Sequence, residues 1–400
     1  MFEIVKSKVK HIKLNPKIFY IFASIAFILL SFSLISLGTY FLNFKSESTL
    51  SISKLKTANE KVQKELEELK SQDQLKINKE LEEKIKNIEV TYKESVEVYE
   101  KIVDLRDQKI DTKSYDESLT KSLTYLSERN YSSASALLKE IKTTIDKDTA
   151  KRVVITAVGS TANITVNNTA PDSGYSRQKV KTDFGEFIVD IIAADLNSTR
   201  VIVDTASDSD CTNDCPVLSL SDYVGRNGAY AGINGSYFCP ASYPSCAGKT
   251  NSFDTLLMNK NKKYFNSDNN VYSTVPAVIF SGNSARFVGR SLDWGRDTGV
   301  DAVLANQPLL VSGGNVVFGG DDEVKRVGSG SRSFVGSSGS TAYIGVIHSV
   351  NAAQMARVLH TMGIQNALNL DSGGSTALWS GGYKVGPGRN IPNALLFVRK

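Results

Sequence analysis

Histidine is almost missing from these 400 residues: His11, His348 and His360 are the full complement. His11 lies in a basic N-terminal tail and His360 on a predicted helix, so imidazole chemistry would rest on His348, near a predicted strand end. A Ser-His-Asp hydrolase would depend on that residue, yet no Gly-x-Ser-x-Gly elbow presents a serine to it. Cysteine is scarce too. Cys211, Cys215, Cys239 and Cys246 are spaced Cys-x3-Cys and Cys-x6-Cys, unlike the paired Cys-x2-Cys of a four-cysteine zinc site, and no histidine lies beside them. Two disulfides suit them better, with three connectivities open. Excess charge is confined to one place: of the net +5, the tail before residue 18 supplies +4 through Lys6, Lys8, Lys10, Lys13 and Lys17 against Glu3. The remainder is near neutral, so nucleic acid is not an expected partner. The sequence requires no cofactor and shows no metal motif; Asp321 and Asp322 with Asp371 could hold a divalent cation, but no known loop spacing supports it.

What is present begins with an almost uncharged apolar run from Ile18 to Leu42. At 1.5 Å per residue it can cross a hydrocarbon core of about 30 Å with some tilt. A secretory signal would be shorter and would end in small residues, whereas this run continues through Tyr40 and Phe41, so residues 18–42 read as an uncleaved signal anchor. The lysines before it place residues 1–17 in the cytoplasm and the rest outside, giving a single-pass membrane protein with an extracytoplasmic C-terminal domain.

Residues 47–110 contain no Gly or Pro and space their apolar side chains for a long helix. Leu55, Val62 and Leu69 repeat every seven; Ile85, Tyr92 and Tyr99 do so in a second frame, with Leu81, Ile88 and Ile102 on the other seam and Ser95 interrupting it. One reading is a coiled-coil stalk that pairs two copies into a homodimer. The polar seam residues Asn59, Asp73 and Lys76 keep open a single helix packing back on the globular domain. Residues 111–148 read as a helical hairpin broken near Arg129 and Asn130, with Leu119, Leu123 and Leu126 facing Ala134, Leu137, Leu138, Ile141 and Ile145.

Beyond about residue 151 the chain turns to short β-rich runs punctuated by Gly, Asn, Ser and Asp, which predicts a domain over 151–400. Expected strands include Phe187–Ile192, Val201–Asp204, Ala229–Ile233, Val278–Phe280, Ala342–Ile347 and Ala394–Val398. Asn351–Met362 has helical spacing, stops before Gly363 and leads into the apolar run Ala367–Leu370. A strand, helix, strand unit among so many strands predicts an α+β or mixed α/β class.

Three loops put polar residues beside glycines after strand-like runs, where backbone can approach a ligand. They are Gly232-Ile233-Asn234-Gly235-Ser236-Tyr237-Phe238, Gly328-Ser329-Gly330-Ser331-Arg332-Ser333 and Asn369-Leu370-Asp371-Ser372-Gly373-Gly374-Ser375-Thr376. In order and content they resemble the phosphodiester glycosidase family, with its Asn-Gly-Gly-aromatic-Phe, Arg-Thr and Asn-Leu-Asp-Gly-Gly-Gly-Ser elements. The Gln307–Val311 run and the closing Ile391–Leu395 run resemble it as well, so the likeness covers about 179–400. The chain departs from the pattern at Ser236 and Ser372, where the family usually has Gly, at Ser333 in place of Thr, and at His348-Ser349 in place of Asp-Gly.

The resemblance implies hydrolysis of a sugar whose anomeric oxygen is esterified to phosphate, with an envelope polysaccharide or other sugar phosphate as substrate. A departing phosphomonoester has a second pKa near 6, so strong acid assistance matters less than for ordinary glycosides. Asp371 is then the candidate base, nucleophile or charge stabiliser, Arg332 the candidate phosphate fork, and Asn234 a candidate for ordering water or sugar hydroxyls. Gly235, Ser236, Tyr237, Phe238, Ser333, His348, Ser372, Gly373, Gly374 and Ser375 complete the expected substrate-binding set. Bland roles stand beside these: Asp371 as a turn cap, Arg332 in a surface ion pair, the aromatics in the core. Asp254, Asp293, Asp297, Asp301, Asp321, Asp322 and Glu323 are undistinguished candidates for a second carboxylate. A non-catalytic glycan-binding module on the same fold is the alternative.

Overall fold

A computed structural model describes residues 16–71, 73–107, 110–158, 164–267, 274–295, 297–321 and 324–400. Most of the basic tail, with His11, and the carboxylates Asp322 and Glu323 lie outside the described residues. Two compact units divide at Ile85 and Lys86.

The first unit is helical. Helix α1 (Pro16–Ser71) carries the apolar run, with Phe27, Leu30, Phe32 and Leu37 all more than 60 % exposed. Such a surface is costly in water and natural in hydrocarbon, and one helix here is long and apolar enough to cross a membrane.

In the second unit, the end of helix α2 (Asp73–Asp107) packs with α3 (Lys113–Ser127) and α4 (Tyr131–Val158). Val98, Ile102 and Leu105 of α2 share a buried cluster with Tyr115, Leu119, Leu138, Ile141 and Ile145. The residues after about Thr91 that the heptad pattern extended into a stalk are therefore one helix of a three-helix layer. Of the apolar residues expected inside the hairpin, Leu123 is exposed.

The β-rich part is built from three antiparallel sheets. The largest orders β1 (Gly174–Thr182), β2 (Gly185–Asp195), β13 (Thr341–Val350), β12 (Gly330–Ser338), β14 (Asn366–Ser372), β10 (Leu309–Ser312) and β11 (Asn315–Val316). The second orders β16 (Tyr383–Val385), β15 (Leu378–Ser380), β4 (Ala231–Asn234), β17 (Asn393–Arg399) and β3 (Thr199–Thr205). The third orders β6 (Tyr264–Phe265), β5 (Leu257–Met258), β9 (Ala302–Ala305), β7 (Ala277–Ser281) and β8 (Ser284–Val288).

All three sheets contribute to one core, where Ile192, Ile344, Leu368 and Leu370 meet Val203, Ile233, Leu395 and Phe397 of the second sheet and Val278, Phe280 and Leu304 of the third. The outer face of the largest sheet is covered by helix α6 (Ala352–Thr361) through Met355, Ala356, Val358 and Leu359. Helix α5 (Leu220–Asn227) covers the second sheet in the same way, with Leu220, Tyr223 and Val224 on Ile202 and Leu396. Coverage on both faces explains why β2 and β17 read as continuous apolar runs rather than alternating ones. Capping boxes start both helices, Ser219 with Asp222 and Asn351 with Gln354, satisfying backbone donors that the first turn leaves without partners. Helices and antiparallel sheets together make the C-terminal part an α+β domain, as the alternation of runs predicted.

Candidate active site

The ends of β4, β12 and β14 meet at one edge of the domain, and the three glycine-bearing segments come together there. Two of them are strand rather than loop: Arg332 and Ser333 lie on β12, and Asn369 to Ser372 on β14, followed by a tight turn over Gly373–Ser375. In register, Arg332 pairs with Ser372, so the second and third motifs are cross-strand neighbours.

Asparagines tie the sheets together at this edge. Asn234 is fully buried; its Nδ2 donates to the Asp371 carbonyl at 2.7 Å, while its Oδ1 accepts from Ser333 Oγ at 2.8 Å and Ala377 N at 3.1 Å. Three of the four hydrogen-bonding positions of the amide are engaged within the protein, so Asn234 clasps the strands together. Ser333, equally buried, serves the same clasp. Asn393 receives the Ser236 N–H at 2.9 Å and also donates to Ser236 Oγ, and its carbonyl receives the Gly235 N–H. Ser236 thus has a buried structural partner. Asn306 receives the Tyr237 N–H, and Asn369 Nδ2 donates to Tyr237 Oη at 2.6 Å. Burial pushes the Tyr237 phenol up to about 12, so it stays protonated. Phe238 is half-buried and packs against the core.

Arg332, the expected phosphate fork, turns its guanidinium inward. It is 4 % exposed, and its guanidinium donates to the carbonyls of Val350 (3.0 Å), Arg326 (3.2 Å) and Gly328 (2.6 Å). A buried cation satisfied by carbonyl dipoles fastens the approach to β12, and burial holds it below its ordinary pKa.

Asp371 is partly open. Its Oδ1 receives the Ser372 N–H at 2.9 Å, and its own N–H donates to the Gly235 carbonyl. Burial raises the carboxyl from an ordinary 3.8 to about 6, against the opposing pull of Ser375, Arg389 and the Ser372 N–H, with Asp104 adding to the rise. Beside the following turn lies a cavity of about 260 Å³ lined by Asp107, Ser331, Gly373, Thr376 and the Val385–Gly388 turn.

Other sequence-nominated carboxylates serve local needs: Asp293 pairs with Arg290, Asp321 with Arg326, Asp297 caps the Gly299 N–H and Asp301 receives the Gly282 N–H. No group of three His, Cys, Asp or Glu suited to a metal occurs among the described residues. The cysteines join sequence neighbours, Cys211 to Cys215 and Cys239 to Cys246, which removes the zinc alternative.

Two constellations at this edge escaped the sequence reading. His348 Nε2 lies 2.8 Å from Asp190 Oδ2, and its Nδ1 lies 2.9 Å from Ser331 Oγ. Asp190 is fully buried and also receives Tyr175 Oη at 2.6 Å and Arg177. The second is Arg389, on the turn after Gly386-Pro387-Gly388. It pairs with Asp104 and Asp107 of α2 and lies over the Tyr243 ring at 5.0 Å. A glycine-rich turn ending in Arg was a visible signal for an anion site; nothing in the sequence joined it to α2.

Among curated proteins none matches the chain. Among solved structures, a Synechocystis protein described as hypothetical aligns at 13 % identity and TM-score 0.44, over 56 % of this chain and 62 % of its own. The catalytic domain of zebrafish N-acetylglucosamine-1-phosphodiester alpha-N-acetylglucosaminidase aligns at 15 % identity and TM-score 0.44, over 59 % of this chain and 87 % of its own. The phosphodiester glycosidase family model matches residues 227–398, and that stretch contains all three motif segments gathered at this edge of the domain.

Proposed function

We propose that this chain is a membrane-anchored hydrolase that cleaves the glycosidic C–O bond of sugar-1-phosphodiesters in envelope or exopolysaccharide glycans. Asp371 carries the reading: its partly open carboxyl accepts the Ser372 N–H, its backbone N–H is fixed to the Gly235 carbonyl, the turn that follows it lines a cavity, and a carboxyl raised to about 6 can change charge near neutral pH. The anomeric carbon gains positive charge as the phosphomonoester departs with the bonding pair, and an ionised Asp371 stabilises that charge or bonds to the carbon. Water then supplies hydroxide to the carbon and its proton to solvent or phosphate. Asn234, Arg332 and Ser333 hold the platform.

Display outside the cytoplasm is supported by the apolar helix, the lysine-rich tail preceding it and the two disulfides. Pairing of two chains through the exposed parts of α1 and α2 within residues 47–85 belongs to the same proposal.

Full-length protein in detergent, incubated with a panel of sugar-1-phosphodiesters, should release free sugar and phosphomonoester, and Asp371→Asn should abolish the release. No turnover, combined with tight glycan binding that survives Asp371→Asn, would replace the hydrolase with a binding module.

One observation favours a second reading. The Ser331–His348–Asp190 chain joins a hydroxyl, an imidazole and a buried carboxylate in serine hydrolase order but with the ring nitrogens exchanged, Nδ1 toward Ser331 and Nε2 toward Asp190, and Ser331 lines the cavity. A fluorophosphonate probe would then bond to Ser331 Oγ with loss of fluoride, His348 taking the proton. Labelling lost in both Ser331→Ala and His348→Ala would support ester hydrolysis; no labelling leaves the chain as a structural tie between β12, β13 and β2.

A further inference from the structure

Helix α2 ends in a row of acids on one face, Glu100, Asp104 and Asp107, spaced four and three apart. Negative charge at a helix C-terminus opposes the macrodipole, so a compensating partner is required. Glu100 is met by the Ser245 hydroxyl. Asp104 receives Tyr243 Oη at 2.6 Å and the Arg389 guanidinium, which also reaches Asp107 Oδ2 at 2.9 Å.

Arg389 has the features of a built anion receptor. Its side chain is 10 % exposed, it stacks on Tyr243, and its own N–H is fixed to the Gly374 carbonyl at 2.8 Å. Its Nε is buried without a hydrogen-bond partner, so one edge of the fork is unused by the two carboxylates. The motif turn is shaped to this arrangement: a Cβ on Gly374 would stand 2.1 Å from Arg389 Nη2, and one on Gly373 would stand 2.9 Å from Asp104 Oδ2. The Asp104 carboxylate therefore lies directly over the turn that follows Asp371. Burial raises the Asp104 pKa against the lowering pull of Arg389, so its charge is held at a cost. A phosphate matches the guanidinium fork bidentately as a carboxylate does, and can present its oxygens to the edge that carries the unused Nε.

We propose that Arg389, with Tyr243 and the Gly373–Gly374 turn, is the phosphate subsite of this active site, and that Asp104 and Asp107 occupy it as an internal anion that a phosphodiester displaces. This rests on the hydrolase reading for its substrate class, and it moves phosphate recognition from Arg332 to Arg389. The helix is then both a tether and a gate: the α2 acids lower affinity for free anions, and a glycan phosphodiester with further contacts overcomes them.

The test titrates inorganic phosphate into full-length protein in detergent micelles, comparing wild type with Asp104→Asn/Asp107→Asn, which keeps shape and hydrogen bonding while removing charge. The expected result is at least tenfold tighter phosphate binding in the double variant, lost again on adding Arg389→Ala and partly kept with Arg389→Lys. A parallel fall in KM for a sugar-1-phosphodiester, without matching change in kcat, is expected. An unchanged phosphate affinity in a double variant whose thermal transition shows it folded would overturn the proposal, as would tighter binding that persists in Arg389→Ala. If phosphate binding follows the expected pattern but no diester is hydrolysed, the subsite stands and the hydrolase reading alone fails.

Discussion

Replacing Asp371 by Asn separates a carboxyl kept for chemistry from one kept for a turn. Asn retains an oxygen to accept the Ser372 N–H, so the turn at Gly373 survives. What is lost is a carboxyl raised from 3.8 to about 6, chiefly by burial. A displacement of that size is worth roughly 3 kcal/mol, trimmed to about 2–3 by partial solvent access. The sign follows from proton linkage: between the two values the folded state holds the proton more tightly than the unfolded chain. This group's contribution is therefore full below about pH 4, falls as pH rises, and is gone above about 6 to 7. Denaturant unfolding of full-length protein across pH 4 to 8 should show wild type losing about 2–3 kcal/mol relative to Asp371→Asn, with the variant the more stable at pH 8. Activity at pH 7 should meanwhile fall by a factor on the order of 10² to 10⁴, the usual contribution of a catalytic acid or base. Parallel pH profiles for the two proteins, or a variant less stable at pH 8, would refute the reasoning and leave Asp371 as a turn residue.

Other consequences are more local. Asn234→Ala strands the Ser333 hydroxyl, the Ala377 N–H and the Asp371 carbonyl in a buried setting; a loss of about 3–5 kcal/mol in urea unfolding is expected. Phe334→Ala, in the core between β12 and helix α6, should cost a similar ~3–5 kcal/mol without altering KM in whatever protein stays folded. Opening the Cys239–Cys246 link, which closes a short loop carrying Tyr243, should cost about 2 kcal/mol by unfolding and weaken phosphate binding more than thermal stability alone explains.

Much of the β-rich part was legible because burial on both faces writes strands as uninterrupted apolar runs: Phe187–Ile192 and Ala394–Val398 sit inside β2 and β17. The helix before the third motif announced itself by Asn351 at its start and Gly363 just past its end. The three glycine-bearing segments named from sequence gather at one edge, while what each side chain does there was less legible. Asn234 and Arg332 stand at that edge, yet their polar atoms turn inward to Ser333, Asp371 and Val350, and no local pattern distinguishes a side chain aimed at ligand from one aimed at a carbonyl. Asp190 was invisible inside an apolar strand, although it holds His348. At the end of α2 the sequence leaves a stalk and a helix packed on the domain both open, because an apolar residue every third or fourth position suits a coiled coil and a three-helix layer equally. Its acids, Asp104 and Asp107, carry no local mark of their partner, because Arg389 lies almost 300 residues later in the chain.

Hydrolysis in water enriched in oxygen-18 tests the central claim most directly, since it reports which bond breaks as well as whether one does. With full-length protein and a sugar-1-phosphodiester substrate, attack at the anomeric carbon places the label in the released sugar and leaves the phosphomonoester unlabelled, which is the predicted result. Label in the phosphate, marking P–O cleavage, or no release from any diester in the panel, would contradict it.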